Sequence, residues 1–441
     1  MSKRLTRIGS LAAAAALMLC VAPAASFAQS HPEFIPGRVN MVLYKPDSGP
    51  APHIAFLIAH RTGNNLGNVA CRELAKRGFA VICFNTRYVN NETAVQWENI
   101  ALDVKAAVDY ARTVPGITKV ILFGHSGGTP LMTYYQAVAE NGVSYCQGPD
   151  KLVQCANNLA GLKPADGLLI DEGHAGDGFQ SLTGINPSLA MVDGKPKLVD
   201  PSLDPFDPKN GYNPDGPSHY SQEFRTRYYA AQSKVMNAQI AAVQALQEKI
   251  KTGAGPYPDN DIVLVPFSAE RGAARLSELD PSVPEYMSTS KPRKFLKNDG
   301  AIVTEIVHSI EPPHPDRAKT NRSFEIATKV LTIKSYLSTN AIKSTNSFDG
   351  VDWCSVNNSS MCAIQYIKAP TLVVAMGAYH LLGDEERMFE KSAAADKDYI
   401  VIEGGTLGYT GCKDCGVPAE KFSNAEKNNF DYVAKWANAK F

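Results

Sequence analysis

The 441-residue sequence predicts an α/β protein, a mostly parallel sheet with helices on both faces. Three observations point there. Short, wholly apolar, β-rich runs recur, each suited to a strand buried on both faces. They alternate with stretches whose apolar residues repeat at helical spacing, the pattern of strand–helix–strand units. One run, Val120–Phe123, passes directly into the glycine-rich turn Gly124-His125-Ser126-Gly127-Gly128 and then into a helix-competent segment.

Taken in order, residues 1–28 have the form of a secretory signal. Lys3, Arg4 and Arg7 give a basic start, Leu11 to Ala22 an apolar core, and Ser26-Phe27-Ala28 a small-x-small cleavage site. That core is too short to span a bilayer. The expectation is cleavage near Ala28 and a periplasmic or secreted chain with no stable membrane insertion. His53–His60 reads as a strand, Asn64–Arg77 as a helix stopped by Gly78, and Ala80–Phe84 as a second buried strand. Trp97, Ile100, Ala101, Val104, Val108 and Ala111 mark a helix face. Asp166–Asp171 is the next strand, leading into Asp171-Glu-Gly-His-Ala-Gly-Asp-Gly178.

The alternation then breaks down. Seven prolines between 187 and 217 argue against any regular element there. Tyr229, Met236, Ile240, Val243, Leu246 and Ile250 mark one face of a long helix, and Ala301–Val307 reads as a strand. Thr371–Ala375 and Tyr399–Ile402 are strands flanking a helix over 384–395, and Ser423-x-x-Glu426 is a capping box for the final helix.

Composition narrows the function classes. Forty-four basic residues balance forty-four acidic ones, so charge favours neither nucleic acid nor an anionic membrane. No phosphate-loop or dinucleotide fingerprint occurs, and no ligand set calls for a metal or another cofactor. Once Cys20 is removed, eight cysteines remain, an even number that fits disulfides in an oxidising compartment. Cys146–Cys155, Cys354–Cys362 and Cys412–Cys415 read as loop staples. Cys71 and Cys83, in a predicted helix and strand, read as buried free thiols.

Gly124-x-Ser126-x-Gly128 matches the pattern G-x-S-x-G. A serine on a sharp strand-to-helix turn needs small residues two positions either side, because the backbone folds back on itself. Pro130 is tolerated in the first turn of the helix that follows. On these residues the chain resembles the α/β-hydrolases, in particular serine esterases and lipases. The resemblance implies a core of residues 29–179 and 321–441, with residues 180–320 inserted as a helical lid. It also implies hydrolysis of a small ester or lactone through an acyl-enzyme on Ser126, without a cofactor. A non-catalytic or non-hydrolytic member of the fold, such as a lyase or acyltransferase holding a small apolar ligand, is the alternative. Tyr220, Phe224, Tyr228 and Tyr229 in the insertion favour an apolar or aromatic substrate. The sequence does not speak to oligomeric state.

A serine hydroxyl needs a base oriented by a carboxylate, and its oxyanion needs two donors. The resemblance assigns the donors to the N–H groups of Gly127 and Thr62, with His60 holding the loop. The family's histidine follows the last strand, near Thr406 or Leu407, and here none follows His380. Three readings stand. His380 is the base, with Asp171 as its acid or Glu403 in that place; His174 is the base; or no triad operates.

Overall fold

The computed structural model describes residues 31–441 apart from residues 36, 38, 194 and 255–258. The signal-like segment 1–28 lies outside the described residues.

The first six strands are β1 (His31–Ile35), β2 (Met41–Lys45), β3 (Ile54–Ile58), β4 (Ala80–Phe84), β5 (Lys119–Ser126) and β6 (Gly167–Gly173). Between them run α1 (Val69–Lys76), α2 (Trp97–Ala111) and α3 (Gly128–Asn141), and α4 (Asp177–Gly184) follows β6. The stretch expected to be inserted holds the hairpin β7 (Leu189–Val192) and β8 (Lys195–Leu198), the 30-residue helix α5 (Gln222–Lys251) and β9 (Ile262–Val265). Further along come β10 (Arg293–Leu296), β11 (Ile302–Glu305) and β12 (Lys329–Thr332), then β13 (Thr371–Met376) and β14 (Lys397–Ile402).

Ten of these strands form one sheet in the order β1-β2-β4-β3-β5-β6-β13-β14-β10-β11. From β4 to β10 every neighbouring pair is parallel, and antiparallel pairs close both edges. This is the mostly parallel, helix-flanked sheet expected from the sequence. β5 lies in its interior, and Val120, Ile121, Leu122 and Phe123 are wholly buried, with alternate residues entering the packing on opposite faces. Each such side chain contributes about 1.5–3 kcal/mol by leaving water.

Several local expectations change. Cys71 and Cys83 are joined in a disulfide, as are the three pairs read as loop staples. The proline-rich stretch is not wholly irregular, because it carries the β7–β8 hairpin. Residues 293–305, inside the segment expected to be a lid, extend the main sheet through β10 and β11. Asn424, not Ser423, occupies the cap position of the last helix, Ala425–Lys440. The long helix is tied down by buried polar groups. Tyr228 donates to the carbonyl of Ala274 (2.9 Å), and Gln232 donates to those of Thr183 and Ile185 (2.8 and 2.9 Å).

Candidate active site

Ser126 ends β5 with φ at +50°, a left-handed conformation that a non-glycine residue adopts only at some strain. It stands between a buried strand and the first residue of α3. Its neighbours explain the glycines. A Cβ on Gly124 would lie 2.6 Å from the Cα of Thr129, and one on Gly128 would lie 2.3 Å from the carbonyl oxygen of Ala59. One on Gly127 would meet Arg61 Nη1 at 2.3 Å and His60 Nε2 at 2.4 Å. The turn therefore excludes a side chain against backbone at Gly124 and Gly128, and at Gly127 one would displace His60 and Arg61.

Ser126 lines a cavity of about 180 Å³ together with His60, Arg61, His174, His380 and Leu407. His380 follows β13. Its Nδ1 is 2.9 Å from Glu311 Oε2, and both side chains are about nine-tenths buried. Glu311 lies 69 residues earlier in the chain, within the stretch expected to be a lid. Its other oxygen accepts from His314 Nε2 at 3.2 Å. With Nδ1–H donating to a carboxylate, the neutral ring presents a lone pair at Nε2. Burial pulls the pKa of His380 down, but the charge and hydrogen bond of Glu311 more than offset this, and the net direction is upward. Glu311 is moved the other way. Burial raises its pKa, yet the two histidines outweigh that and bring it to about 2.

The remaining candidates are held elsewhere. Asp171 is fully buried and accepts from Asn429 Nδ2 at 2.9 Å. Burial lifts its pKa to about 7, eased by that bond. Its bond runs to the last helix, and the carboxylate against His380 is Glu311. Glu403 pairs with Lys297 at 2.6 Å and caps the N–H of Asn298 at 2.8 Å. His174 lines the cavity, but its Nδ1 accepts from the N–H of Gly176 at 3.1 Å, and burial, with nearby cations, holds it well below the usual range. The N–H of Thr62 donates to His60 Nδ1 at 3.1 Å, within its own loop. His125 packs against Tyr409 at 4.6 Å and contacts the carbonyl of Leu407 at 2.7 Å.

Charge dominates the rest of the cavity wall. Arg61 joins Asp177 (2.8 Å) to Glu92 (3.2 Å), and Glu278 takes both Arg275 and Arg317 at 2.6 Å. Lys329 donates to Ser181 Oγ and Asn340 Oδ1 at 2.9 and 3.1 Å, and burial lowers its pKa to about 8. Arg275, Glu278 and Arg317 come from residues 180–320 and Lys329 from just beyond them, so this stretch of chain builds one side of the chamber. The aromatic side chains expected to shape an apolar pocket are used differently. Tyr220, Phe224 and Tyr228 stack on one another at 5.3 and 5.5 Å, away from this cavity, while Tyr229 reaches a small adjoining pocket.

Sequence reasoning missed Glu311, Arg275, Lys329 and the position of His60 beside the nucleophile. A signal existed for the first. Glu311-Pro-Pro-His314 places an acid and a histidine together in a stretch otherwise read as connection.

No family model matches the chain, and no curated protein matches it either. Solved structures do resemble it. Brefeldin A esterase, a bacterial homologue of human hormone-sensitive lipase, is 11% identical, with 94% of this chain and 77% of that chain covered and a TM-score of 0.42. A monoacylglycerol lipase from Paleococcus ferrophilus is 12% identical over 91% of this chain and 99% of its own, at 0.39. A truncated carbohydrate esterase from gut microbiota is 11% identical over 94% and 98%, at 0.42.

Proposed function

We propose that this chain, whose fold is that of the α/β-hydrolases, is a serine hydrolase that cleaves a carboxylic ester through an acyl-enzyme on Ser126. The observation that carries this reading is the juxtaposition of two devices on one cavity. They are a strained serine on a turn closed to side chains at Gly124 and Gly128, and a histidine whose Nδ1 is held by a buried carboxylate.

In the mechanism, Ser126 Oγ attacks the ester carbonyl carbon while His380 Nε2 takes its proton. Glu311 accepts the hydrogen bond from Nδ1–H, fixes the ring and offsets the charge of the imidazolium. The N–H of Gly127 donates to the oxyanion. Collapse of the tetrahedral intermediate expels the alcohol, which leaves with the proton from His380. A water molecule, deprotonated by the same nitrogen, then releases the acid and regenerates Ser126.

The charged wall favours an ester with polar or hydrogen-bonding groups near the scissile bond over one with a long alkyl chain. Apolar chains would leave Lys329 and the arginine–carboxylate pairs desolvated without compensation. Residues 180–320 supply Arg275, Glu278 and Arg317 to that wall, and we assign this segment the role of a cap over the nucleophile. The four disulfides fit a protein that works in an oxidising compartment such as the periplasm or the exterior.

A fluorophosphonate should label Ser126 covalently, and Ser126→Ala should abolish both labelling and hydrolysis of an aryl acetate. Hydrolysis that survives in the alanine variant, with no labelled serine in the wild type, eliminates the acyl-enzyme and leaves a binding or non-hydrolytic role for the cavity.

A further inference from the structure

We infer that His60 is a catalytic residue, donating its Nε2–H to the oxyanion as the second donor beside the N–H of Gly127. The inference rests on the esterase reading above and adds to it a group that is normally supplied by backbone.

The first support is the hydrogen-bond pattern around the ring. His60 Nδ1 accepts from the N–H of Thr62 at 3.1 Å and from the N–H of Gly63 at 2.8 Å. A nitrogen that accepts two N–H bonds carries no hydrogen, so the neutral ring holds its one hydrogen on Nε2. The ring stays neutral throughout the working range. Burial, then Arg61 and His125, bring its pKa to about 3.

The second support is position. An atom added at Cβ of Gly127 would lie 2.4 Å from His60 Nε2, so the ring edge sits against the residue whose N–H is the other donor. His60 and Ser126 line the same cavity. Among the described residues the hydrogen bonds of His60 run through Nδ1 and none through Nε2, which leaves that donor for whatever occupies the cavity. The same bonds disqualify the donor expected from the sequence, because the N–H of Thr62 is directed at the ring of His60.

Arg61 Nη1 lies as close to Gly127, at 2.3 Å from the same point, but the guanidinium is engaged by Asp177 and Glu92. Its role is to hold the loop against the elbow. A neutral imidazole suits the oxyanion well, since it donates strongly without itself needing a counter-ion and without giving up its proton. In the reaction the carbonyl oxygen gains charge as Oγ bonds to carbon and accepts from Nε2–H and Gly127 N–H. It then returns to a carbonyl when the alcohol leaves, and the hydrogen on His60 never transfers.

The test separates the two nitrogens. In His60→Asn the amide oxygen stands near the position of Nδ1 and keeps an acceptor for Thr62 and Gly63, while nothing reaches the position of Nε2. In His60→Gln the amide nitrogen reaches that position instead. On an aryl acetate, kcat should fall about 10²–10³-fold in the asparagine variant, with KM little changed, as expected for removal of one oxyanion donor. The glutamine variant should recover part of that loss. The acid limb of the pH–rate profile should stay where it is in both, because His60 does not titrate there.

A measurement on the wild type removes any dependence on how the variants fold. With ¹⁵N-labelled histidine, the His60 Nε2–H proton should move downfield when a phosphonate is bonded to Ser126. An asparagine variant with wild-type kcat, or a resonance that does not move in the phosphonate adduct, overturns the assignment and leaves the Ser126 mechanism standing. A wild-type protein that neither hydrolyses the ester nor takes the label removes both.

Discussion

The two halves of the catalytic apparatus are built in opposite ways. The nucleophile is local. Everything that shapes Ser126 lies within Lys119–Asn141, save the Ala59–Arg61 backbone and side chains that press on it. The base is assembled. His380 comes from the end of β13, and its carboxylate comes from Glu311, between the β10–β11 hairpin and the short strand β12. The difference teaches where sequence can be trusted. Close approaches between neighbours in the chain leave glycines in fixed places, whereas a contact across 69 residues leaves no spacing to read.

The largest expected effects test whether the two halves work as one unit. Ser126→Ala and His380→Ala should each lower kcat by about 10³-fold or more, and the double variant should be little worse than either, since members of a triad fail together. Additive losses on an aryl ester would mean that serine and histidine act on separate steps.

The next experiment asks which acid belongs to the assembled half. Glu311→Gln should lower kcat by roughly 10²-fold, since loss of the carboxylate is the milder lesion in a triad. Asp171→Asn should leave it within about threefold, because Asp171 bonds the last helix and no base. The pH profile gives an independent sign. His380 works as the neutral base, and Glu311 raises its pKa, so the acid limb of kcat/KM should lie above the ordinary histidine value of about 6.5. Removing the anion removes that lift, so the limb in Glu311→Gln should move to lower pH. If Asp171→Asn shifts the limb and Glu311→Gln does not, the pairing is misassigned.

The same contrast explains what was legible in the sequence. The sheet was readable because β3, β4, β5, β6 and β13 are buried on both faces and appear as unbroken apolar runs. Of the β10–β11 hairpin, β11 falls within the strand expected over 301–307, but β10 was not legible, because Arg293–Leu296 is four residues long with two basic residues and carries no clear burial pattern. Glu311 sits among Pro312, Pro313 and Pro315, where periodicity is uninformative. Asp171 was a reasonable expectation by position at the end of β6, but its neighbour across the register is His125, turned toward Leu407 and Tyr409. The Cys71–Cys83 bond joins α1 to β4 across 12 residues, a separation no longer than those of many unpaired cysteines.

A smaller effect concerns the floor beneath the assembled half. Glu172 and Glu385 are fully buried, and burial raises both pKa values well above the ordinary carboxylate value, with Asp171 and Glu311 adding to the shift of Glu172 and with Glu172 and Asp171 adding to that of Glu385. The native state therefore holds protons that the unfolded chain releases near pH 4.3, and stability should fall as pH rises above that value. Glu172→Gln cannot ionise, so its loss of apparent Tm between about pH 5 and 8 should be smaller than the wild type's by a few degrees. Parallel Tm curves for the two proteins would show that Glu172 does not carry this penalty.

The smallest expected effect is a null one, and it bears on why the family's terminal histidine is missing. Leu407 stands after β14 where that histidine is expected, its side chain lines the Ser126 cavity, and its carbonyl contacts His125. If the site beside Ser126 is already filled by His380, a second imidazole brought in by Leu407→His finds neither a vacant position nor a carboxylate, because Glu311 is bonded to His380 and His314. Aryl-ester hydrolysis should then stay within about threefold of the wild type, against the 10²–10⁴ that a positioned base contributes. In the His380→Ala background the new histidine still has no acid to orient it, so it should not restore the wild-type rate. Strong activation by Leu407→His in the wild type would mean that the site was empty, and that the buried His380–Glu311 pair serves the fold and not the chemistry.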